Sequence, residues 1–205
     1  MKKSLITSTQ KEYNEVEFEK LELSEHIFEE YRFDGCKFAK CDFQKTSFLN
    51  CQFVDCVFAN CNLSLVKVSR SSFLNVEFLD SKIVGVNWGF AYWPKINLAS
   101  PLHFQRCDLS LSSFFELTLA EMTIEECKVH GVDFRGADLS HANFAFSDFL
   151  DSQFVHTKLV SADFTEAINY SIDLQLNDIK KAKFSFPEAI SLLEAYEIEI
   201  VGLNR

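Results

Sequence analysis

The sequence predicts an all-β solenoid built from square coils of twenty residues. One large apolar residue recurs at every fifth position along most of the 205 residues. A small residue stands two places before it, and the other three positions of each five are mostly polar or charged. Five residues cannot bury a core alone, so such units must stack, with four units closing one coil. The chain is long enough for about eight to nine coils.

The five-residue period covers nearly the whole chain. From Phe18 to Leu98 all seventeen positions of the series are apolar, and from Phe104 to Phe164 a further thirteen are apolar. Helices would repeat such residues about every 3.6 positions, and strands at every second position. With 47% of the residues apolar, thirty matches in thirty have a chance probability on the order of 10^-10. We therefore expect these side chains to fill the inside of the coils.

The period divides the chain into consecutive parts. A tail, 1–12, precedes a first repeat segment, 13–98, and a second segment follows at 104–184. One extra residue within 99–103, where Pro101 lies, breaks the register between the segments. Because proline lacks the backbone donor of a strand ladder, we expect a bulge or bend there. The two segments are predicted to stack in one solenoid rather than to form separate domains.

The last part, 185–205, changes period and predicts a cap. Pro187 stands at a favourable first position of a helix, and apolar residues then recur at helical spacing. The alternation in EIEIV predicts a short strand after it. The helix either only covers the last coil or also pairs, with the strand, to a second copy of the chain. The residues predicted for the cap and dimer contact are Phe186, Ala189, Leu192, Leu193, Tyr196, Ile198 and Ile200.

One stretch of the repeat resembles the pentapeptide-repeat family, whose pattern is A(D/N)LXX: it reads VDFRG ADLSH ANFAF SDFLD SQFVH TKLVS ADFTE. The resemblance covers about residues 13–184 and implies a right-handed quadrilateral β-helix. In the quinolone-resistance class of this family, which protects DNA gyrase, a terminal LL…IxVxG element makes the dimer contact. The end of this chain, LLEAYEIEIVG, is similar in kind. The resemblance thus favours a homodimer joined through its C-termini.

The seven cysteines are predicted to be core residues. Each stands two places before a large apolar residue, in the small inward position. Their C-x4-C spacings are not those of zinc sites, and pairs twenty residues apart would stack as reduced thiols. We therefore predict neither a metal nor a cofactor. The cysteines are Cys36, Cys41, Cys51, Cys56, Cys61, Cys107 and Cys127.

Other features argue against an enzyme and a membrane protein. The five histidines are scattered, and a filled solenoid has flat outer faces, whereas catalysis requires convergent groups in a concave site. No apolar run approaches the roughly 18 residues of a membrane span, and the N-terminus lacks the apolar core of a signal peptide. With an odd number of cysteines as well, the expected location is the cytoplasm.

The net charge of −10 is uneven, with −1 in residues 1–98 and −9 in residues 99–205. Such acidity disfavours direct binding to nucleic acid and permits a basic partner. On a twenty-residue coil, seven outward residues fall on one face and the next, where an exposed phenylalanine among carboxylates would anchor a basic partner. The alternative is a merely solvated surface. The seven residues are Glu125, Glu126, Phe146, Asp148, Asp151, Asp163 and Glu166.

The function that these features favour is that of a non-catalytic interaction protein. An acidic rod would mimic DNA in charge and shape and dock on a basic groove that binds nucleic acid. The family resemblance implies a type II topoisomerase as partner, DNA gyrase or topoisomerase IV. A departure from many gyrase-protecting members is the lack of a large loop insertion between pentapeptides. The alternative is a structural or scaffold protein whose partner is unrelated to DNA and contacts outward apolar residues such as Phe115 and Phe146.

Overall fold

The computed structural model of the chain describes residues 6, 9–94, 102–196 and 198. These residues form a parallel β-solenoid of about eight turns with almost no helix, as the sequence predicts. Because each side of a coil has only five residues, its strand is short. The strands are β1 Glu12–Asn14, β2 Glu17–Glu19, β3 Ile27–Glu29, β4 Arg32–Asp34, β5 Lys37–Ala39, β6 Ser47–Leu49, β7 Gln52–Val54, β8 Val57–Ala59, β9 Ser72–Leu74, β10 Val76–Leu79, β11 Leu102–Gln105, β12 Thr123–Glu125, β13 Asp163–Phe164 and β14 Lys183–Phe184.

The strands stack in parallel, each on the strand one coil away. One sheet runs in the order β1-β4-β7-β9 and another in the order β12-β11-β10-β8-β5-β2. Residues twenty apart face each other, as Phe18 faces Phe38 and Phe38 faces Phe58. Isolated bridges such as Asp108 with Lys128 continue the same register where no strand is formed. The twenty-residue coil is thereby confirmed.

The large residue of each pentapeptide lies inside the coils. Phe38, Phe58 and Phe78 are each no more than 1% exposed. Their rings stack along the rod, with centroids 4.6 Å apart for the first pair and 5.1 Å for the second. Trp88 is also buried, and the half-buried Trp93 donates its indole N–H to the Trp88 carbonyl over 2.9 Å. Leu98, the next residue of the series, lies outside the described residues.

The corners between the sides have a feature that the apolar pattern does not reveal. A residue at most corners takes a positive φ, and among the described residues 26 residues with a positive φ are not glycine. The left-handed conformation costs a residue with a Cβ about 1 kcal/mol or more, and only glycine adopts it freely. Gly131 and Gly136 are two of the four glycines at such corners. Stacking of the coils therefore imposes a backbone conformation that most corner residues do not prefer.

The break between the repeat segments is larger than the sequence count indicates. Val76 faces Leu102 across the ladder, so this coil has 26 residues instead of twenty. The Tyr92 N–H still donates to the Ser71 carbonyl in the ordinary register, which places the six extra residues after Tyr92 and before β11. A five-residue period is not disturbed by the insertion of five residues. Of the six extra residues, the period therefore reveals only one. The predicted single extra residue is thus corrected to six, whereas Pro101 and its predicted bulge lie outside the described residues.

The C-terminal helix is a 3₁₀ helix, Glu188–Tyr196, and not the α-helix that the apolar spacing favours. Its Leu192 joins the hydrophobic core, and the Glu188 carboxylate accepts a hydrogen bond from the Asn169 backbone N–H over 2.6 Å. The Glu188 side chain of this helix thus satisfies the Asn169 backbone N–H of the last coil. Of the predicted strand, Ile198 is described and Ile200 is not. A short 3₁₀ helix, Trp88–Phe90, is the other helix of the described residues, and neither of the two has the length and apolar run needed to cross a membrane.

Candidate functional site

Three of the predicted outward residues form one column along an edge of the rod. Glu126, Phe146 and Glu166 occupy corners at intervals of twenty residues, with φ of 53°, 59° and 55°. The Glu126 N–H donates to the Ala145 carbonyl, and the Phe146 N–H donates to the Thr165 carbonyl, so successive corners are bonded through the backbone. We call this column, with Arg106 below it, the acidic edge.

Two faces meet at the acidic edge. The front face holds the outward residues of β11, β12 and β13, including Glu125 and Asp163. The side face holds the ladder Asp108, Lys128, Asp148 and Ile168, and Asp151 lies at its far corner. The structure therefore places the seven predicted residues on these two faces and their corners, as the twenty-residue register requires.

Two of the six carboxylates are already engaged within the protein. Asp163 accepts hydrogen bonds from Lys183 Nζ over 2.8 Å and from the Thr165 N–H over 2.9 Å. Partial burial opposes the ionisation of Asp163, but these bonds outweigh it and hold the pKa of that carboxyl below its usual value. Asp163 thus serves the stability of the rod.

Asp148 is engaged in the same way on the side face. Its Oδ1 accepts from Asn169 Nδ2 over 2.8 Å and from the Leu150 N–H, and its Oδ2 lies 2.7 Å from His130 Nε2. Burial opposes its ionisation too, yet the Asn169 and His130 bonds lower the pKa of this carboxyl. Both oxygens of Asp148 therefore have partners inside the molecule.

The other four carboxylates remain available to a partner. In the described part of the chain, no lysine or arginine lies within 4.0 Å of Glu125, Glu126, Asp151 or Glu166. Arg106, the nearest residue of the acidic edge, is held instead by Asp80, with Nε 2.7 Å from Oδ1. The candidate site thus narrows to these four carboxylates around Phe146, which is 56% exposed.

Sequence reasoning missed two apolar residues of this surface. Leu150 and Ile168 lie on the side face near Phe146 and are 44% and 47% exposed. The period itself contains the signal, because both residues occupy positions that point outward and are otherwise mostly polar. The site is therefore apolar at its centre as well as acidic at its rim.

The small inward position has a polar role that sequence reasoning also missed. Ser147 Oγ donates to the Ile124 carbonyl one coil below and accepts from the Cys127 N–H, each over 3.0 Å. Cys61 Sγ donates likewise to the Phe38 carbonyl over 3.3 Å. All seven cysteines are free and buried, as predicted, and burial raises the pKa of the Cys51 thiol. Among the described residues, no cluster of His, Cys, Asp or Glu is arranged to hold a metal ion.

A second surface lies at the short 3₁₀ helix Trp88–Phe90. Phe90 and Phe115, which are 65% and 45% exposed, line an open groove of about 470 Å³. Arg135 lies over the Phe115 ring, 5.6 Å from its centroid, and its guanidinium is held by both carboxylate oxygens of Asp133. Because its cation is already paired, this groove presents aromatic surface rather than charge.

The predicted cap and dimer residues separate into buried and exposed groups. Leu192 is buried, whereas Ala189 and Leu193 are half-buried. Phe186, Tyr196 and Ile198 are 75%, 41% and 56% exposed. The 3₁₀ helix therefore buries one side chain in the core and leaves apolar surface at the end of the rod.

Comparison with known proteins places this repeat in a family. A model of the pentapeptide repeat region matches residues 11–88, and one of eight pentapeptide repeats matches residues 127–166, together more than half of the chain. The chain belongs to the pentapeptide-repeat family. No curated protein sequence matches this pentapeptide-repeat protein.

Solved structures with the same fold include QnrB1, described as a plasmid-mediated fluoroquinolone resistance protein. Full-length QnrB1 superposes with a TM-score of 0.64 at 20% identity over 89% of this chain and all of that one. A trypsin-treated variant superposes with a TM-score of 0.65 at 18% identity, covering 91% of this pentapeptide-repeat protein and all of QnrB1. At such identity the similarity establishes the shared solenoid.

Proposed function

We propose that this protein is a non-catalytic interaction protein whose acidic rod occupies a basic, nucleic-acid-binding groove of a type II topoisomerase, DNA gyrase or topoisomerase IV. The observation that carries the proposal is the set of four carboxylates without a cationic partner among the described residues, of which Glu125, Glu126 and Glu166 lie at the acidic edge and Asp151 at the far corner of the side face. Carboxylates in a row along a rod substitute for phosphates, and their field steers a basic partner towards them. The shared fold with a fluoroquinolone resistance protein supports this choice of partner.

The distribution of net charge supports docking by the C-terminal half. Residues 99–205 carry a net charge of −9, whereas residues 1–98 carry −1. At the N-terminal end, some carboxylates also pair with cations across neighbouring coils, as Glu25 does with Lys45 over 3.2 Å and Glu30 with Lys11 over 3.4 Å. The net attraction for a basic groove therefore comes chiefly from the later coils.

A dimer through the C-terminus is part of the proposal. Phe186, Tyr196 and Ile198 present apolar surface at the end of the solenoid. An isologous contact there would cover this surface and join two rods end to end. The double substitution Phe186→Ser with Ile198→Ser is expected to give monomers in light scattering at concentrations where the unsubstituted chain is dimeric. A monomeric unsubstituted chain would remove this part.

The docking proposal is tested with purified DNA gyrase. We expect the protein to inhibit supercoiling, and the triple variant Glu125→Gln, Glu126→Gln, Glu166→Gln to need at least about tenfold more protein for the same effect. Raising the salt concentration should weaken the unsubstituted protein more than the variant. The matched control is Glu15→Gln, Glu29→Gln, Glu116→Gln, which removes the same charge at equivalent positions elsewhere. No effect on gyrase or topoisomerase IV at any salt concentration would refute the proposal.

A second candidate function rests on the aromatic groove that Phe90 and Phe115 line. Exposed Phe90 and Phe115, with the paired Arg135, favour a scaffold that binds a protein unrelated to DNA, because aromatic and arginine side chains dominate protein interfaces. Affinity capture at two ionic strengths separates the candidates. A partner that is lost with Phe90→Ala and Phe115→Ala, but kept at high salt and in the glutamine variant, would favour the scaffold.

A further inference from the structure

Three exposed apolar side chains surround Asp148 at the later coils. Phe146 lies two residues before Asp148 on the acidic edge, and Leu150 lies two residues after it on the side face. Ile168, on the next coil, forms an isolated backbone β-bridge with Asp148. At about 3.3 Å per residue and about 4.8 Å between coils, the three side chains fall within one contact patch. We call Phe146, Leu150 and Ile168 the apolar triangle.

The polar group at the centre of the apolar triangle does not need a partner from outside. Both Asp148 oxygens accept hydrogen bonds within the protein, from Asn169, His130 and the Leu150 N–H. A buried carboxylate without a hydrogen bond would oppose binding. When a partner covers the apolar triangle, the Asp148 carboxylate keeps its hydrogen bonds within the protein, so this cost does not arise. The patch can be dehydrated as an apolar surface.

Phe146 differs from the other apolar residues that occupy corners. Only three of the 26 non-glycine residues with positive φ are apolar, namely Leu65, Leu111 and Phe146. The two leucines lie over glycines: Leu65 Cδ2 is 2.8 Å from the Cβ position of Gly85, and Leu111 Cδ2 is 3.1 Å from that of Gly131. Phe146 instead stands between Glu126 and Glu166 in its column. It combines a strained corner with a ring that is 56% exposed, which points to binding rather than to folding.

The charges around the apolar triangle select the chemistry of the occupant. Glu126 and Glu166 flank Phe146, and Asp151 lies beside Leu150, all three without a lysine or arginine within 4.0 Å among the described residues. A second copy of the chain would bring the same carboxylates into this contact, and like charges in an interface oppose binding. A segment that presents lysine or arginine on either side of an apolar side chain matches both the centre and the rim.

We infer that the apolar triangle and its rim bind an amphipathic basic segment of a partner protein, with an apolar side chain seated among Phe146, Leu150 and Ile168. The inference rests on the proposed function in taking a basic protein as the partner, and it adds a contact that a phosphate does not make. Recognition then depends on apolar burial as well as on charge, so that only part of the affinity falls as salt rises.

The probe for this inference is an 18-residue peptide of lysine and leucine with one apolar helical face. A lysine–glycine–serine peptide of equal length and charge serves as its comparison. Binding of each labelled peptide to the full chain is measured by fluorescence anisotropy at two salt concentrations. We expect the lysine–leucine peptide to bind at least about tenfold more tightly, with the difference kept at the higher salt concentration.

The matching substitutions are Phe146→Ser, Leu150→Thr and Ile168→Thr, made together and, for Phe146→Ser, alone. The control changes Leu65→Ser, Leu74→Thr and Ile27→Thr, which are exposed apolar residues at the same positions within the pentapeptide but on other sides of earlier coils. The triangle variant should bind both peptides alike, the single variant should lose part of the difference, and the control should keep all of it. If the triple variant fails to fold, the folded single variant decides.

Equal binding of the two peptides by the unsubstituted chain, or equal losses in the triangle and control variants, would overturn the inference. Because the peptide-binding assay uses no topoisomerase, its result is independent of the gyrase assay. If the protein discriminates between the peptides but does not affect gyrase, the inferred binding surface stands and the proposed partner is refuted. If the protein affects gyrase but does not discriminate between the peptides, the proposed partner stands and the inferred binding surface is refuted.

Discussion

The lower segment, residues 11–94, and the upper segment, residues 102–184, have the same coil but fill it with different side chains. In the lower segment, Tyr13, Phe33 and Phe53 stack as rings with centroids 5.5 and 5.2 Å apart. In the upper segment the same side of the coil is filled by Leu139 and Leu159. Both fillings leave these side chains almost fully buried. Cores tolerate such exchanges when the total volume and the pattern are kept, so the coil does not depend on one residue type.

The outer surfaces of the two segments differ in net charge, and this difference matters more for binding than the difference between the cores. Both segments pair some of their carboxylates with cations on the next coil, as Glu17 with Lys37 in the lower segment and Asp138 with Lys158 in the upper one. The net charge differs, since residues 1–98 carry −1 and residues 99–205 carry −9. The comparison teaches that ion pairs between coils occur along the whole rod, whereas the net attraction for a basic partner is concentrated in the later part of the chain.

The largest expected effect compares the two cores. Phe53→Ala removes a ring that stacks on Phe33 and Phe73, each with centroids 5.2 Å away, and should lower the free energy of unfolding by about 3–5 kcal/mol. Leu139→Ala removes fewer atoms and should cost less, within the range of about 2–5 kcal/mol. Urea unfolding followed by circular dichroism measures both. A larger loss for Leu139→Ala would mean that the rings do not stabilise the lower segment more than the leucines stabilise the upper one.

The second effect compares the small inward positions. Ser147→Ala should lower the free energy of unfolding by about 1–3 kcal/mol, because the Cys127 N–H loses its acceptor and the Ile124 carbonyl its donor. Cys51→Ala removes a weaker thiol donor and should cost about 1 kcal/mol. Ser64→Ala, at a half-buried outward position, is the control and should change the value by less than about 0.5 kcal/mol. Equal costs for Ser147 and Ser64 would exclude the polar role of the inward position.

The third effect concerns the corners, which the two segments share. At Gly136, φ is +70° and an added Cβ would lie 3.0 Å from Glu116 Cγ. Gly136→Ala should therefore lower the free energy of unfolding by about 1–2 kcal/mol, measured in the same urea series. His141→Ala is the control, since His141 occupies a corner with φ of 61° and already carries a Cβ. Its expected change is below about 0.5 kcal/mol. A neutral Gly136→Ala would show that the corner conformation is not under strain.

The smallest effect is a dependence on pH that separates the segments. The pKa of Asp133 is lowered chiefly by Arg135, and hydrogen bonds that outweigh partial burial lower those of Asp108, Asp138, Asp148 and Asp163. A lowered native pKa stabilises the fold above the ordinary value of about 3.9 and loses this effect as the pH falls through the native pKa. Asp163→Asn should thus cost less than about 1 kcal/mol at pH 7 and almost nothing well below about pH 3. Equal costs at both pH values, measured by urea unfolding, would contradict the ionic role of Asp163.

The success of the sequence predictions follows from the locality of the period. Phe38 and Cys61 were placed inside from their positions in a five-residue unit, and the structure buries both. The acidic edge followed as well, because the register of twenty residues puts Glu126, Phe146 and Glu166 in one column. The six-residue extension of one coil could not be predicted, because five of its six residues leave the five-residue period unchanged. The role of Ser147 as a donor and acceptor was also missed, because its partners lie one coil away.

The amino-acid sequence by itself determined the coil, the core and the residues that face outward, because one large and one small apolar side chain in every five can be buried together only by stacking. The tertiary structure decided which outward carboxylates keep their charge available. Asp163 is neutralised by Lys183 across one coil, whereas Glu166, three residues further on, has no such pair among the residues that the structure describes. Side-chain positions on neighbouring coils, and not the period, make that difference, since an ion pair forms only where both side chains reach within about 4 Å.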